Sequence, residues 1–269
     1  MALPAESAST HSRRTAVVTG SSGGIGGAIA KTLAAAGFAV VVHGHGNAAG
    51  AEATADVIRS SRGEAKVLLA DLADSQACTR FVEQAFAAYG HVDVWVNNAG
   101  VDVLTGAART WSFDEKLAAL WKVDVAATMR LARDAGRRML EVGHGSIVNI
   151  GWDQAATGMA GDSGEMFAAV KGAVMAFTRS LAHSLAPNVR VNCVAPGWIK
   201  TEWGEEATEY WQRRAVGESL RARWGTPQDI ADAVAFLASP AADFITGHIL
   251  PVNGGLRRGE PYPPADPRS

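Results

Sequence analysis

The stretch "TGSSGGIGGAIA", Thr19–Ala30, decides the fold. It follows the apolar run "TAVVTG" (Thr15–Gly20) and leads into small residues of helical period. Gly20, Gly24 and Gly26 fall at this strand-to-helix turn, spaced Gly-x-x-x-Gly-x-Gly. Glycine lacks a Cβ, so backbone N–H groups at the helix N-terminus can approach a pyrophosphate. The spacing is looser than the common dinucleotide fingerprint, and a glycine-rich turn also serves simply to pack a helix on a strand. Its place after the first strand of an alternating pattern points to dinucleotide binding.

The alternation runs outward from that turn. Further strands are expected at Ala39–Gly44 ("AVVVHG"), Ala65–Asp71 ("AKVLLAD"), Asp93–Gly100 ("DVWVNNAG"), Ser146–Gly151 ("SIVNIG"), Arg190–Gly197 ("RVNCVAPG") and His248–Gly255 ("HILPVNGG"). Ala-rich helical segments separate them, the longest spanning Phe113 to Leu140 and Glu165 to Ala186. Near-continuous apolar strands alternating with helices imply a parallel sheet covered on both faces. Right-handed crossovers then give a single-domain α/β fold, a doubly wound, Rossmann-type, seven-stranded parallel sheet.

The chain has 269 residues, 48% hydrophobic and 19% charged, which suits one large α/β domain. Residues 1–12 are small and polar and read as a flexible N-terminus; 13–256 form the domain; 257–269, rich in proline and charge, read as an extended tail. The net charge is −2, without a long run of either sign, which argues against nucleic-acid or anionic-membrane partners. Cys78 and Cys193 fit no metal-ligand spacing and read as buried thiols in a reducing compartment. With no signal-like or membrane-spanning stretch, the expected location is the cytoplasm.

After the second strand the chain reads "VVVHGHGN", with no carboxylate before Glu52. An acidic residue there would accept from the free 2′-hydroxyl of NAD. His45 and Asn47 could instead donate to a 2′-phosphate, so NADP is favoured weakly over NAD. A turn of glycine and polar residues without that role fits nearly as well.

The segments "TGSSGGIG", Asp71–Leu72, "NNAG" at Asn97–Gly100 and "PGWIKT" at Pro196–Thr201 together resemble the short-chain dehydrogenase/reductase family over residues 13–256. The resemblance implies a role for each. Gly20, Ser22 and Ile25, with Gly23, Gly24 and Gly26, line the pyrophosphate; Asp71 and Leu72 flank the adenine. Asn98, Ala99 and Gly100 line the cofactor cleft, and Pro196, Gly197, Ile199 and Thr201 hold the nicotinamide end. It also implies a homo-oligomer, dimer or tetramer, built through two long helices.

The family's catalytic set is Asn, Ser, Tyr and Lys, the last two as Tyr-x-x-x-Lys. Here that motif reads "FAAVK": Phe167 stands at the Tyr position and Lys171 is kept. Trp152 falls at the Ser position, although the stretch to Phe167 is longer than usual and leaves Asp153 or Gln154 as alternatives. Asp124, in "WKVDVAAT", takes the Asn position. The catalytic candidates are therefore Asp124, Trp152, Asp153, Phe167 and Lys171.

Ketone reduction needs a hydride on carbon and a proton for the developing alkoxide. A phenol of pKa about 10, lowered by a nearby Lys cation, can supply that proton. Phe has none to give, and losing a general acid typically costs about 10² to 10⁴ in rate. Lys171 remains able to hold the nicotinamide ribose, and Asp124 is a proposed counter-charge to it. Asp153, Asp162 and Glu165 are possible replacement acids, Asp153 first because it follows a central strand. The segment at about 198–225 is the expected substrate lid. It carries Trp198, Trp203, Tyr210, Trp211 and Trp224, most expected to pack the lid and one or two to face a flat, apolar or cationic substrate.

These readings favour hydride transfer to a small aromatic or apolar carbonyl, imine or enone. A non-redox lyase, isomerase or cyclase, or a silent dinucleotide-binding protein, stands as the alternative.

Overall fold

The computed structural model describes residues 13–257. The expected flexible N-terminus, 1–12, and all but Arg257 of the expected tail lie outside the described residues.

Seven strands form one sheet in the order β3-β2-β1-β4-β5-β6-β7. They are β1 (Thr15–Val18), β2 (Ala39–Gly44), β3 (Ala65–Leu69), β4 (Val94–Asn97), β5 (Gly145–Ile150), β6 (Val189–Pro196) and β7 (Ile249–Val252). Every pairing is parallel. The expected strands are all present; β1, β3, β4 and β7 are shorter than expected, and β5 and β6 each begin and end one residue earlier. Strand order reverses between β1 and β4, which opens a crevice at their C-terminal ends, where ligands of such sheets bind.

Helices cover both faces. On one, α1 (Gly24–Ala35), α2 (Ala48–Ser60) and α9 (Pro227–Ala238) bury Ile29, Leu33, Ile58, Ile230 and Leu237 against the valines of β1, β2 and β4. On the other, α3 (Ser75–Tyr89), α5 (Thr128–Val142) and α6 (Asp162–Leu185) bury Phe81, Leu131, Met139 and Leu181 around Trp95. Trp95 is fully buried, and Phe81 meets its ring edge-on at 5.7 Å. The strand residues are apolar on both sides because both sides are covered.

The long helix expected from Phe113 is interrupted. A capping box between Ser112 and Glu115 starts α4 (Phe113–Leu120), a π-helical turn follows at Trp121–Ala127, and α5 then resumes. The wider turn shifts the register midway and carries Asp124 inward, to 3% exposure. A 3.6-residue apolar pattern cannot show such a shift, because it is preserved on either side of it. Past β6, α7 (Glu202–Glu206) and α8 (Glu209–Glu218) occupy the segment where a substrate lid is expected. No helix among the described residues is long and apolar enough to cross a membrane.

Candidate active site

The glycine turn is held from below by β4. Asn98 Nδ2 donates to Thr19 O and Gly20 O, each at 3.0 Å. The Thr19 hydroxyl accepts from Asn98 N at 2.9 Å and Ala99 N at 3.0 Å. A Cβ on Gly20, which has φ +63°, would lie 2.7 Å from Ala99 Cα; one on Gly26 would lie 2.1 Å from Gly20 O. Gly23 and Gly24 face the other way, with nothing within 4 Å of an added Cβ. Ser22 and Ile25 beside them are partly exposed. No acidic residue occupies the first turn of α1, so its N–H groups remain available to an anion. These residues fit a dinucleotide pyrophosphate.

The adenosine end is more open. Gly44 ends β2, and a Cβ there would meet Ala51 Cβ at 3.1 Å, with Asn47 O and Leu69 Cδ2 at 3.3 Å. His45 Nε2 lies 4.0 Å from Asp71 Oδ2, both side chains well exposed. Asn47 caps α2, its Oδ1 accepting from Gly50 N at 2.9 Å, so only its NH₂ is left to donate elsewhere. Asp71 Oδ1 accepts from Ala73 N. Leu72 turns its side chain into the core with Cys78 and Phe81, and its carbonyl accepts from Cys78 Sγ at 3.3 Å.

At the other end of the crevice, Lys171 Nζ lies 2.9 Å from Asp124 Oδ1. Asp124 Oδ2 accepts from Val101 N at 3.0 Å. Gly100 is the approach point, since a Cβ there would lie 2.8 Å from Asp124 Oδ1. The carboxylate therefore joins the turn after β4 to α6. One turn before Lys171, the Phe167 ring packs on the cluster of Val103, Leu120, Val125, Met166 and Val170. Trp152 meets it edge-on at 6.3 Å. Asp124, Phe167 and Lys171 thus converge, with Trp152 beside them.

Asp153 turns elsewhere. Its Oδ2 accepts from Asn253 Nδ2 at 2.9 Å and its Oδ1 from Gln154 N at 2.8 Å. It packs against Gly197, where a Cβ would meet Asn253 Cβ at 2.5 Å and Asp153 Oδ2 at 3.3 Å. Burial, and secondarily the charge of Glu218, push its carboxyl up to about 6, against the hydrogen bonds that favour the ionised form. Asp153 thus ties the end of β5 to the residue after β7. Asp162 and Glu165 lie in the first turn of α6.

The lid is pinned by Glu218. Its Oε2 accepts from Trp198 Nε1 at 2.7 Å and Gln154 Nε2 at 3.4 Å, and its Oε1 from Arg214 Nε at 2.7 Å. Trp198, Trp203, Trp211 and Trp224 contact one another at centroid distances of 5.4–6.3 Å. The Arg214 guanidinium lies 5.6 Å from the Trp198 ring and 5.3 Å from that of Trp211. An aromatic box for a substrate cation at Trp198 and Trp211 is thus already occupied by a cation of the chain itself. Ile199 bridges to Gly225 beneath this cluster, Pro196 ends β6, and Thr201 precedes α7. Arg214 and Glu218 are an i,i+4 pair that the helix pattern allows, but the contacts of Glu218 with Trp198 and Gln154 and of Asn253 with Asp153 span 20 to 100 positions and carry no local signal.

The model of the family described as enoyl-(acyl carrier protein) reductase matches residues 20–257. The short-chain reductase protein NovJ of Streptomyces niveus is 37% identical over 252 residues, covering 89% of this chain and 92% of that protein. The 3-oxoacyl-[acyl-carrier-protein] reductase FabG of Escherichia coli K12 is 36% identical, covering 90% and 96%. A 7α-hydroxysteroid dehydrogenase structure, with NADH and 7-oxo glycochenodeoxycholic acid, superposes with a TM-score of 0.82 at 32% identity over 90% of this chain and 94% of that one. A gluconate 5-dehydrogenase from Burkholderia cenocepacia, with NADP and tartrate, gives 0.80 at 31% identity, with 90% and 94% covered. With a phosphate turn that fits a dinucleotide and relatives of this kind along nearly its whole length, the chain belongs to the short-chain dehydrogenase/reductase family and is an NAD(P)-dependent oxidoreductase.

Proposed function

We propose that this oxidoreductase works with an altered active site and transfers hydride to a small substrate that needs no phenolic proton, an iminium before a conjugated enone. The carrying observation is the Lys171–Asp124 pair at 2.9 Å, next to a Phe167 ring that has no hydroxyl. In this reading Phe167 takes the family's Tyr position, Trp152 its Ser position and Asp124 its Asn position. The bound nicotinamide supplies the hydride. At an iminium carbon that hydride forms the new C–H bond, and the C=N π pair becomes the nitrogen lone pair. The product is a neutral amine, and no proton is required. Asp124 is paired with Lys171 and Asp153 is turned toward Asn253, so the walls left to a substrate are the Trp152 and Phe167 rings, whose faces suit a flat, apolar or cationic substrate.

NADP is the favoured cofactor in this reading, because the end of β2 offers Gly44 and His45 in place of a carboxylate. Exposed Trp111, Phe113 and Trp121, at 41%, 37% and 49%, support a homo-oligomeric contact beside α4 and α5. The half-buried Asp153 carboxyl, raised to about 6, favours as a second reading a non-redox lyase or isomerase that uses it as acid and base.

The test is turnover of C4-deuterated NADPH and NADH against matched ketone, cyclic iminium and enone panels, followed by mass spectrometry. Deuterium in the amine, with ketones at least about 10²-fold slower, supports the proposal. Ketones reduced as fast as iminium ions would overturn it. Product formed without cofactor oxidation would establish the non-redox reading, and no product from any class a silent site.

A further inference from the structure

His43, on β2, is 2% exposed and lies behind the phosphate turn. Its Nδ1 accepts from Gly20 N at 3.0 Å. Its Nε2 lies 3.1 Å from Ala70 O. A carbonyl only accepts, and the Gly20 amide only donates. The two partners together therefore fix a neutral ring with the proton on Nε2. The backbone of His43 repeats the link: its carbonyl accepts from Ser21 N at 2.9 Å, and its N–H donates to Ser21 Oγ at 2.9 Å. That hydroxyl in turn donates to Val18 O at 2.7 Å. Phe81 closes the other side, edge-on at 4.7 Å.

The placement is unusual in what it joins. Gly20 begins the phosphate turn, and Ala70 immediately precedes Asp71 and Leu72 on the adenine side. One imidazole thus spans the two walls of the nucleotide half. We infer that His43 is a positioning residue for the cofactor, setting the phosphate turn through the acceptor nitrogen it offers to Gly20 N–H. This rests on the family's use of a nicotinamide dinucleotide and is independent of the substrate reading above.

Protonation would undo the link. A second N–H at Nδ1 would face the Gly20 N–H donor to donor. Burial holds the imidazole down at about 4, the hydrogen bond to Ala70 opposing and His45 adding to the effect. The other groups against the ring are uncharged: the Gly20–Ser21 backbone, Ala70 O and, on α3, the Phe81 ring. Nearby Cys78, also on α3, is a thiol donating to Leu72 O, its own pKa raised by burial. Asp71 is half-exposed and faces His45.

The test compares three variants of the full chain by fluorescence titration with NADPH and NADH. Asn at position 43 places an oxygen near the Nδ1 site, Gln offers its polar end near the Nε2 site, and Leu offers neither. His43→Asn is expected to bind within about threefold of wild type. His43→Gln and His43→Leu should bind about 10-fold or more weakly, because a buried N–H is left without an acceptor. Wild-type affinity should also fall as the pH approaches 4, a fall absent from His43→Asn. Equal losses in all three variants, tracking their melting temperatures, would reduce His43 to a packing residue and overturn the inference, as would unchanged affinity in His43→Leu. Nitrogen-15 NMR of the wild-type imidazole gives an answer even if the variants do not fold. An Nε2–H signal at pH 7 is expected, and an Nδ1–H tautomer or an imidazolium would refute the assignment.

Discussion

Toward the nucleotide end of the crevice the chain buries an imidazole, and toward the other end it half-buries a carboxylate, yet the two are held in opposite ways. His43 is enclosed by neutral partners that demand its uncharged form. Asp153 is enclosed by Asn253 and the Gln154 amide, donors that suit its charged form, and still rises to about 6 because burial outweighs them. Asp124, on the π-helical turn, is buried more deeply and faces Lys171 and the Val101 amide. The nucleotide end is thus complete within the protein, while the substrate end carries one carboxylate with a cation and one without. The one end depends on keeping a group neutral, the other on how its carboxylates are partnered.

Removing the cation from the substrate end should break this arrangement most severely. Lys171→Met leaves Asp124, at 3% exposure, with only the Val101 amide. Loss of one partner from a buried pair should destabilise the fold by about 3–5 kcal/mol, read from urea unfolding. Arg13→Ala, which removes an ion pair to Glu64 with side chains 47% and 55% exposed, should cost less than about 1 kcal/mol. Similar losses in the two variants would mean that Asp124 is well hydrated and that the two ends differ less than their geometry implies.

The pH dependence of stability separates the ends by sign. His43 falls from an ordinary 6.5 to about 4, so the unfolded chain takes up its proton first. Its contribution is full above 6.5, shrinks as the pH drops and is gone below about 4, a span of about 3 kcal/mol. Asp153 rises from 3.8 to about 6, so the folded chain binds its proton more tightly. Its contribution is full below 3.8 and is lost as the pH rises through about 6, a span of up to about 3 kcal/mol before solvent screening. Between pH 4 and 6 the two trends oppose each other. Urea midpoints measured from pH 4 to 8 should therefore show His43→Asn gaining on wild type as pH falls, and Asp153→Asn gaining as pH rises. Should both variants drift in the same direction, the opposition of the two ends would fail.

The sequence made the nucleotide end the more legible of the two. Gly20, Gly24 and Gly26 mark a local turn, and "NNAG" lies where β4 must meet it, so short-range pattern and strand order suffice. His43 escaped notice because its ring partners, Gly20 and Ala70, lie 23 and 27 positions away. The convergence of Asp124 with Lys171 was accessible through the resemblance, which gave both positions, but the π-helical turn that carries Asp124 inward leaves no trace in apolar period. The lid was legible only as a concentration of tryptophans. That they stack on one another and on Arg214, with Glu218 fastening them to Gln154, depends on contacts that composition does not encode.

The smallest expected effect is the most pointed test of the substrate end. Phe167→Tyr places a phenol one turn from Lys171, the spacing at which a Lys cation would lower its pKa. Here Lys171 lies 2.9 Å from Asp124, whose carboxylate opposes that lowering, and the Trp152 ring stands edge-on against position 167. A phenol left near its ordinary pKa of about 10 is a weak acid at neutral pH. Ketone reduction by Phe167→Tyr, followed at 340 nm, should therefore stay within about threefold of wild type, whereas regaining a general acid would be worth about 10² to 10⁴. A gain of that size from the single change would mean that the ion pair gives way to the phenol. The substrate end would then be an ordinary site lacking one atom, with its charge as adaptable as the nucleotide end's is fixed.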